Sequence, residues 1–343
     1  MKIVIDKAIP FIEGRIKGAA TIFLPGDEIN REDVKDADAL IIRTRTKCDA
    51  SLLEGSNVKL IATATIGTDH IDLPWCENNG ITVKSAPGCN APGVAQYVFS
   101  SIFKCGFKPS AHTLGIIGYG NVGKIVAEWA AQMGIKTLIY DPPLEESGRK
   151  DVAWSSLEEV LLESDAVTLH VPMNKSGKYA TLGMIGEKEM ALMKEGSLLV
   201  NSSRGGIVDE KAFKNYIKSG KIRGIVDVWL NEPFIDHQLL KLVEIATPHI
   251  AGYSFEGKLR GTEAVLNALQ SFFPGKLSIM PSHSYLNTCH SSLNISRQLI
   301  EISYDPLRDS EILKSNPEKF EEMRNNYNYR HEPLFYPSCN QKI

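Results

Sequence analysis

At 343 residues the chain exceeds the usual size of one compact domain, so two or three domains with sizeable cores are expected. Hydrophobic residues at 43%, charged residues at 23% and a formal net charge of -3 exclude a global attraction to nucleic acid or to an anionic membrane surface. No uncharged apolar run reaches the roughly 18 residues of a membrane span, and the one in MKIVIDKAIP is too short for a signal-peptide core, so a cytoplasmic protein is expected.

The first hundred residues alternate short apolar runs with turn signals. KIVID, TIFL, ALIIRT, KLIATAT and ITVKSAP read as strands, with DASLLEGS and IDLPWCENNG as helical segments between them. From Asn90 to about Phe107 the spacing predicts one long helix, capped by Asn90 and crossing into the next domain. After Thr113 the alternation restarts: LGIIG, TLIYD, AVTLHV, SLLVNSS, GIVDVW and EIATPH read as strands separated by helices such as SSLEEVLLES and DEKAFKNYIKSG. Repeated units of this length build a parallel sheet covered on both faces. A helix from roughly Phe255 to Phe273 then carries the chain back to the first domain. The remaining residues change character, with polar PSHSYLNTCHSSLNIS, apolar RQLIEIS and a charged helix candidate, NPEKFEEMRNNY, opened by Pro317.

These elements predict an α/β protein of two Rossmann-like or flavodoxin-like βα domains around a cleft. The first domain is discontinuous, 1–92 with 255–274; the second spans 93–254; a small C-terminal extension spans 275–343. Six cysteines (Cys48, Cys76, Cys89, Cys105, Cys289, Cys339) form no CxxC pair and have no His at metal-ligand spacing, so reduced thiols and no metal are expected.

The chemistry concentrates after Thr113. Gly118, Gly120 and Gly123 in GYGNVG match GxGxxG between a strand and a helix: a tight turn, close approach of backbone to a pyrophosphate, and close helix packing, with Asn121 and Val122 in the helix's first turn. Asp141 ends the next strand, where a carboxylate accepts from ribose hydroxyls. Pro142, Pro143 and Leu144 follow it and offer no Arg to a 2′-phosphate, which favours NAD over NADP. Later strand ends carry NSSRGGIVD with Arg204, DVWLNEP with Asp227 and Glu232, and TPHIAGYS with His249. In a parallel sheet these ends share one edge, so an Arg, a Glu and a His converge on the nicotinamide. His170 in LHVP reads as structural.

Together these residues resemble the D-isomer-specific 2-hydroxyacid dehydrogenases over about Met1 to Phe273. TATIGTDHID, SAPGCNAPGVAQYVFSS and TPHIAGYSFEGKLRGT narrow the resemblance to a branch that oxidises a phosphorylated hydroxyacid at C2 with NAD. The resemblance implies that Arg204 holds the substrate carboxylate and C2 oxygen, His249 exchanges the hydroxyl proton and Glu232 orients its ring. It implies cofactor contacts at Ser202, Ser203, Asp227 and Gly252, with Val171 as a wall, and substrate contacts at Thr44, Thr65 and Tyr253. RTRTK supplies Arg43, Arg45 and Lys47 for the phosphate, Arg43 foremost, with Lys258 and Arg260 as further candidates. In YDPLRD and FEEMRNNY the tail resembles a dimerisation domain, which implies a homodimer. Rival readings are a dehydrogenase of the same family acting on 3-phosphoglycerate, and an NAD-sensing binding protein on the same fold.

Overall fold

Two all-parallel sheets organise the chain. The computed structural model describes residues 1–281 and 294–335, which divide into two units: 1–90 with 254–281, and 91–253 with 294–335. The first unit holds β1 (Lys2–Asp6), β2 (Ile16–Lys17), β3 (Ala20–Leu24), β4 (Ala39–Ile42), β5 (Leu60–Thr63) and β6 (Thr82–Lys84). Its sheet runs β3-β1-β4-β5-β6, the flavodoxin-like order once the two-residue β2 is set aside. β2 instead pairs antiparallel with a short strand, Ser278–Ile279, that sequence patterning does not reveal. The residues of β4 and β5 are buried throughout, because helices cover both faces and leave no polar side to alternate with. One cover is the helix Phe255–Phe272, capped by Ser254, which sends Val265, Leu266 and Leu269 into the apolar cluster of Ile3, Ile5 and Ile41.

The second unit holds β7 (Thr113–Ile117), β8 (Lys136–Tyr140), β9 (Ala166–Leu169), β10 (Ser197–Asn201), β11 (Ile222–Val226) and β12 (Ile245–Ala246), ordered β12-β11-β10-β9-β7-β8. A lone parallel bridge from Ile139 to Trp154 stands where a doubly wound sheet has its next strand. The chain reverses direction across the sheet between β7 and β9, and the glycine-rich turn follows β7 at that switch point.

Four sequence expectations change here. The helix after Asn90 runs Ala91–Lys104 and belongs wholly to the second unit, where twelve of its fourteen residues are buried. Asn90 does not cap it; its Oδ1 is buried without a hydrogen-bond partner. Nor do the described tail residues stand apart as an extension beginning at 275. Residues 275–281 stay with the first unit and 294–335 join the second. The tail carries too few large apolar residues for a core of its own. Ile295, Leu299, Ile300 and Tyr304 therefore pack into the cluster of Val94, Val98 and Ile102, while Leu313 and Phe320 join the cluster of the other face. The charged segment opened by Pro317 splits into a 3-10 turn, Pro317–Lys319, and a helix, Phe320–Asn325. Most of PSHSYLNTCHSSLNIS, with Cys289, and the last eight residues, with Cys339, lie outside the described residues.

Candidate active site

Each glycine of the β7 turn answers a separate steric demand. Gly118 adopts φ +92°, and a Cβ there would lie 2.7 Å from the His170 carbonyl; one on Gly123 would lie 2.0 Å from Gly118 O. A Cβ on Gly120, by contrast, would meet nothing within 4 Å. Gly118 and Gly123 are thus needed by the protein, whereas Gly120 leaves open space beside the helix Asn121–Gln132. Gly120 is that helix's N-cap and supplies no side-chain cap, so the first-turn N–H groups at Asn121, Val122 and Gly123 face this space without intrahelical acceptors. An open cradle at a helix N-terminus fits a dinucleotide pyrophosphate.

Asp141 follows β8 and fastens the turn: one carboxylate oxygen accepts from Tyr119 N at 2.7 Å and the other from Leu144 N at 3.1 Å. Arg149, over the Tyr119 ring at 5.4 Å, is held by both carboxylate oxygens of Asp151. Val171 follows β9 and its Cγ1 comes within 2.9 Å of a Cβ built on Gly118, as a wall of the turn. His170 accompanies it structurally. Its Nε2 lies 3.1 Å from Thr168 Oγ1, and burial pushes the imidazole down to about 3, so it is neutral near pH 7.

The turn after β10 carries Ser202, Ser203 and Arg204. Asn201 holds it: Oδ1 accepts from Ser203 N at 3.2 Å and Ser203 Oγ at 2.9 Å, while Nδ2 donates to Arg204 O at 3.0 Å. Arg204 Nη1 donates to Ser203 O at 2.8 Å. Ser202 Oγ is buried without a hydrogen-bond partner. A Cβ on Gly205 would sit 1.9 Å from Trp229 O, so only glycine lets the Arg204 turn close on the loop leading to Glu232.

Glu232 and His249 meet directly. Nδ1 of His249 lies 2.8 Å from Glu232 Oε2, and Glu232 Oε1 accepts from Trp229 N at 3.0 Å. Burial works to raise the Glu232 pKa, but the hydrogen bond and charge of His249, the Trp229 N–H and the charge of Arg324 outweigh it, and the carboxyl ends below its ordinary value. Because the carboxylate accepts at Nδ1, the other nitrogen, Nε2, is left to exchange a proton.

Asp227 builds the loop that presents the ring. Its side chain is 1% exposed; Oδ1 accepts from Ile250 N at 2.8 Å and Oδ2 from Ala251 N at 3.0 Å, while Asp227 O accepts from His249 N at 2.8 Å. Thr247 Oγ1 lies 2.7 Å from Oδ1 and 2.8 Å from the Tyr97 hydroxyl. This grip holds His249 at φ +57°, in the left-handed region. Asp227, read from the sequence as a cofactor contact, thus spends both carboxylate oxygens on the loop; burial raises its pKa against the opposing pull of His249 and these donors. Gly252 and Tyr253 complete the loop, half-buried.

In the first unit the expected residues also lie at strand ends. Thr44 is exposed after β4, and Thr65 follows β5, with Oγ1 2.6 Å from Thr63 Oγ1 and donating to Gly67 O at 3.0 Å. Arg43 Nη1 donates to Ala8 O at 3.0 Å. The charges of RTRTK do not gather: Arg45 faces Asp27 at 3.8 Å and Lys47 pairs with Asp49 at 2.7 Å. Arg260 Nε donates to Cys89 O at 2.8 Å. Among the described residues no helix is long and apolar enough to cross a membrane and no group of three metal-ligating side chains occurs.

Sequence reasoning missed Asn201, Gly205, Thr247 and Tyr97. The doubled glycine after Arg204 signals the first pair; buried Thr and Tyr that partner a carboxylate leave no periodicity to read.

Known proteins resemble this arrangement. Residues 97–251 match the family described as D-isomer specific 2-hydroxyacid dehydrogenase, NAD binding domain. An erythronate-4-phosphate dehydrogenase of Bacteroides fragilis is 42% identical, over 98% of each chain, and one of Escherichia coli is 38% identical over 97% of this chain and 92% of its own. Among solved structures, a cofactor-bound 3-phosphoglycerate dehydrogenase of Entamoeba histolytica is 29% identical with a TM-score of 0.67, covering 80% of this chain and 96% of its own. A D-lactate dehydrogenase of Aquifex aeolicus, complexed with NAD and lactic acid, is 27% identical with a TM-score of 0.64 at the same coverage. The open cradle at Gly120 and the Glu232–His249 pair thus occur in a chain that belongs to the D-isomer-specific 2-hydroxyacid dehydrogenases, a family of NAD-dependent oxidoreductases, among relatives named erythronate-4-phosphate dehydrogenase.

Proposed function

We propose that the protein oxidises 4-phospho-D-erythronate at C2 to 2-oxo-3-hydroxy-4-phosphobutanoate, a step of pyridoxine 5′-phosphate (vitamin B6) biosynthesis, in the cytoplasm and as a homodimer. The observation that carries the reading is the 2.8 Å contact between Glu232 and His249 Nδ1 at the carboxyl edge of the sheet that also bears Gly120 and Arg204. NAD, when bound, would supply the hydride acceptor for C2. His249 Nε2 takes the proton of the C2 hydroxyl as the C–O bond becomes a carbonyl, and Glu232 stabilises the imidazolium that forms. Arg204 holds the substrate carboxylate and C2 oxygen through its planar fork.

Gly118, Gly120, Asn121, Val122 and Gly123 hold the pyrophosphate and Asp141 the adenosine ribose. Val171, Ser202, Ser203, Asp227 and Gly252 line the nicotinamide half. Tyr253, Thr44 and Thr65 contact the substrate, and Arg43 its phosphate; the pairing of Arg45 and Lys47 with carboxylates leaves Arg43 the better candidate of the RTRTK run. The homodimer rests on the tail's likeness to that of the named relatives; several of the tail's apolar residues pack within the second unit, while Ile302, Leu307 and Ile312 stay exposed.

The test is incubation of purified protein with NAD and a panel of 4-phosphoerythronate, erythronate, 3-phosphoglycerate and D-lactate, following absorbance of the reduced cofactor. The reading expects 4-phosphoerythronate to be preferred, with Arg43→Ala harming it more than erythronate. Equal rates with erythronate, or preference for 3-phosphoglycerate, would remove the substrate assignment. NAD binding without reduction on any member of the panel would favour a sensor.

A further inference from the structure

The tail reaches the loop that carries His249. Arg330 is 9% exposed, and its guanidinium is bound on all three nitrogens. Nη1 donates to Ile250 O at 3.1 Å and lies 3.4 Å from both Tyr253 O and the Tyr327 hydroxyl. Nη2 donates to Gly93 O at 3.0 Å and to Ala251 O, and Nε to Gln96 Oε1 at 2.9 Å. The guanidinium carbon stands 4.2 Å from the Tyr304 ring centroid. Every one of these acceptors is neutral. The carboxylate of Asp309 acts at one remove, accepting from the Tyr304 and Tyr327 hydroxyls at 2.8 and 3.1 Å.

Burying a guanidinium is expensive, and packing alone would be served by an apolar side chain of similar volume. What an apolar side chain cannot do is order carbonyls. Besides Gly93 O, those that Arg330 orders belong to residues 250, 251 and 253, directly after His249. Asp227 already binds the N–H groups of Ile250 and Ala251, so an anion grips this loop by its donors and a cation by its acceptors. His249 itself holds a left-handed conformation that an L-residue adopts at a cost. Tyr253 is flanked by tail rings, Tyr327 at 6.0 Å and Tyr329 at 6.3 Å between centroids.

We propose that Arg330 is a positioning residue for the oxidation: by holding the carbonyls of the 250–253 loop it keeps the His249 ring on Glu232 and Tyr253 in place, so the tail is a working part of the active site. This inference rests on the assignment of His249 as proton acceptor. It is tested with Arg330→Met and Arg330→Lys in the full-length protein, measuring kcat, KM, NAD affinity, melting temperature and the pH profile of kcat, with His249→Asn alongside. Displacing a reacting group by about 1 Å costs up to a hundredfold, so Arg330→Met should lose on the order of ten- to a hundredfold in kcat with NAD affinity within about twofold. Arg330→Lys should recover part of it, and the pH profile of Arg330→Met should move toward that of Glu232→Gln. Should Arg330→Met fail to fold, Arg330→Lys must still show a several-fold loss of kcat and a displaced pH profile. A lower melting temperature with kcat and pH profile unchanged in the folded variants would overturn the proposal and leave Arg330 a stabilising residue only. If His249→Asn itself turns over normally, the assignment of the base fails instead.

Discussion

The carboxyl edges of the two sheets both carry polar residues but bind them differently. At the edge of β7 to β12 the polar groups hold one another: Asn201 holds the Arg204 turn, Asp227 the His249 loop, and Glu232 the His249 ring. At the edge of β4 and β5 they hold their own surroundings, with Arg43 on Ala8 O, Arg45 toward Asp27 and Lys47 on Asp49. A side chain whose partner is another reacting residue is fixed before substrate arrives. One whose partner is the substrate finds other acceptors until then. On the function proposed above, the second unit's edge is preorganised for proton transfer, whereas Arg43 at the first unit's edge would exchange Ala8 O for the substrate phosphate on binding.

Substitutions can break this contrast at either edge. The largest effect is expected from His249→Asn, which removes the proposed proton acceptor: kcat should fall by on the order of a hundred- to ten-thousandfold with NAD affinity nearly unchanged, measured by turnover and by titration of cofactor fluorescence. Next is Gly205→Ala, whose methyl would sit 1.9 Å from Trp229 O and drive the Arg204 turn off the adjoining loop. A loss of about a hundredfold in kcat/KM is expected, mostly in KM for the hydroxyacid, and a variant with normal KM would show that Arg204 does not depend on this close approach.

Glu232→Gln should cost ten- to a hundredfold in kcat, roughly the worth of a hydrogen bond to a charged group, and change the pH profile of kcat. Its stability effect has a defined sign. The Glu232 pKa is lowered in the folded state, so the carboxylate's contribution is complete above the ordinary glutamate value of about 4.3 and is lost as pH falls through the lower folded value. The melting-temperature gap between the parent protein and Glu232→Gln should therefore close on acidification below that value. A gap that widened there would contradict the pairing.

Asp141→Ala removes the acceptor of Tyr119 N and the helix cap at Leu144 N. It should cost about 1 kcal/mol of stability and narrow the preference for NAD over NADP, as read from kcat/KM with each cofactor. The smallest effects belong to the first unit: Arg45→Ala and Lys47→Ala should leave kcat/KM within about twofold, because exposed ion pairs carry little, whereas a large loss in either would place that charge on the phosphate.

Much of the second unit's chemistry was legible because it sits in short runs at strand ends. GYGNVG, Asp141, NSSRGG and HIAGY each stop an apolar strand, and a parallel sheet brings such stops to one edge. What the sequence hid were partnerships across long separations: Tyr97 with Thr247, Asp227 with two amides of the His249 loop, and Arg330 with residues some eighty positions earlier. The grip of Asp227 on its own loop was hidden because a buried Asp at a strand end has the same sequence signature whether it serves a cofactor, its own loop or both. The tail looked like a separate extension because its apolar residues are sparse. Those that are buried join a core that the rest of the second unit already provides, while Ile302, Leu307 and Ile312 stay exposed.

The central claim is that Glu232 fixes the His249 ring so that Nε2 is the nitrogen that exchanges the substrate proton. Long-range proton–nitrogen NMR of His249, with the imidazole neutral, reads this directly. The account predicts a protonated Nδ1 and a bare Nε2 in the parent protein, and mixed tautomers in Glu232→Gln; a protonated Nε2 with a bare Nδ1 in the parent would contradict it.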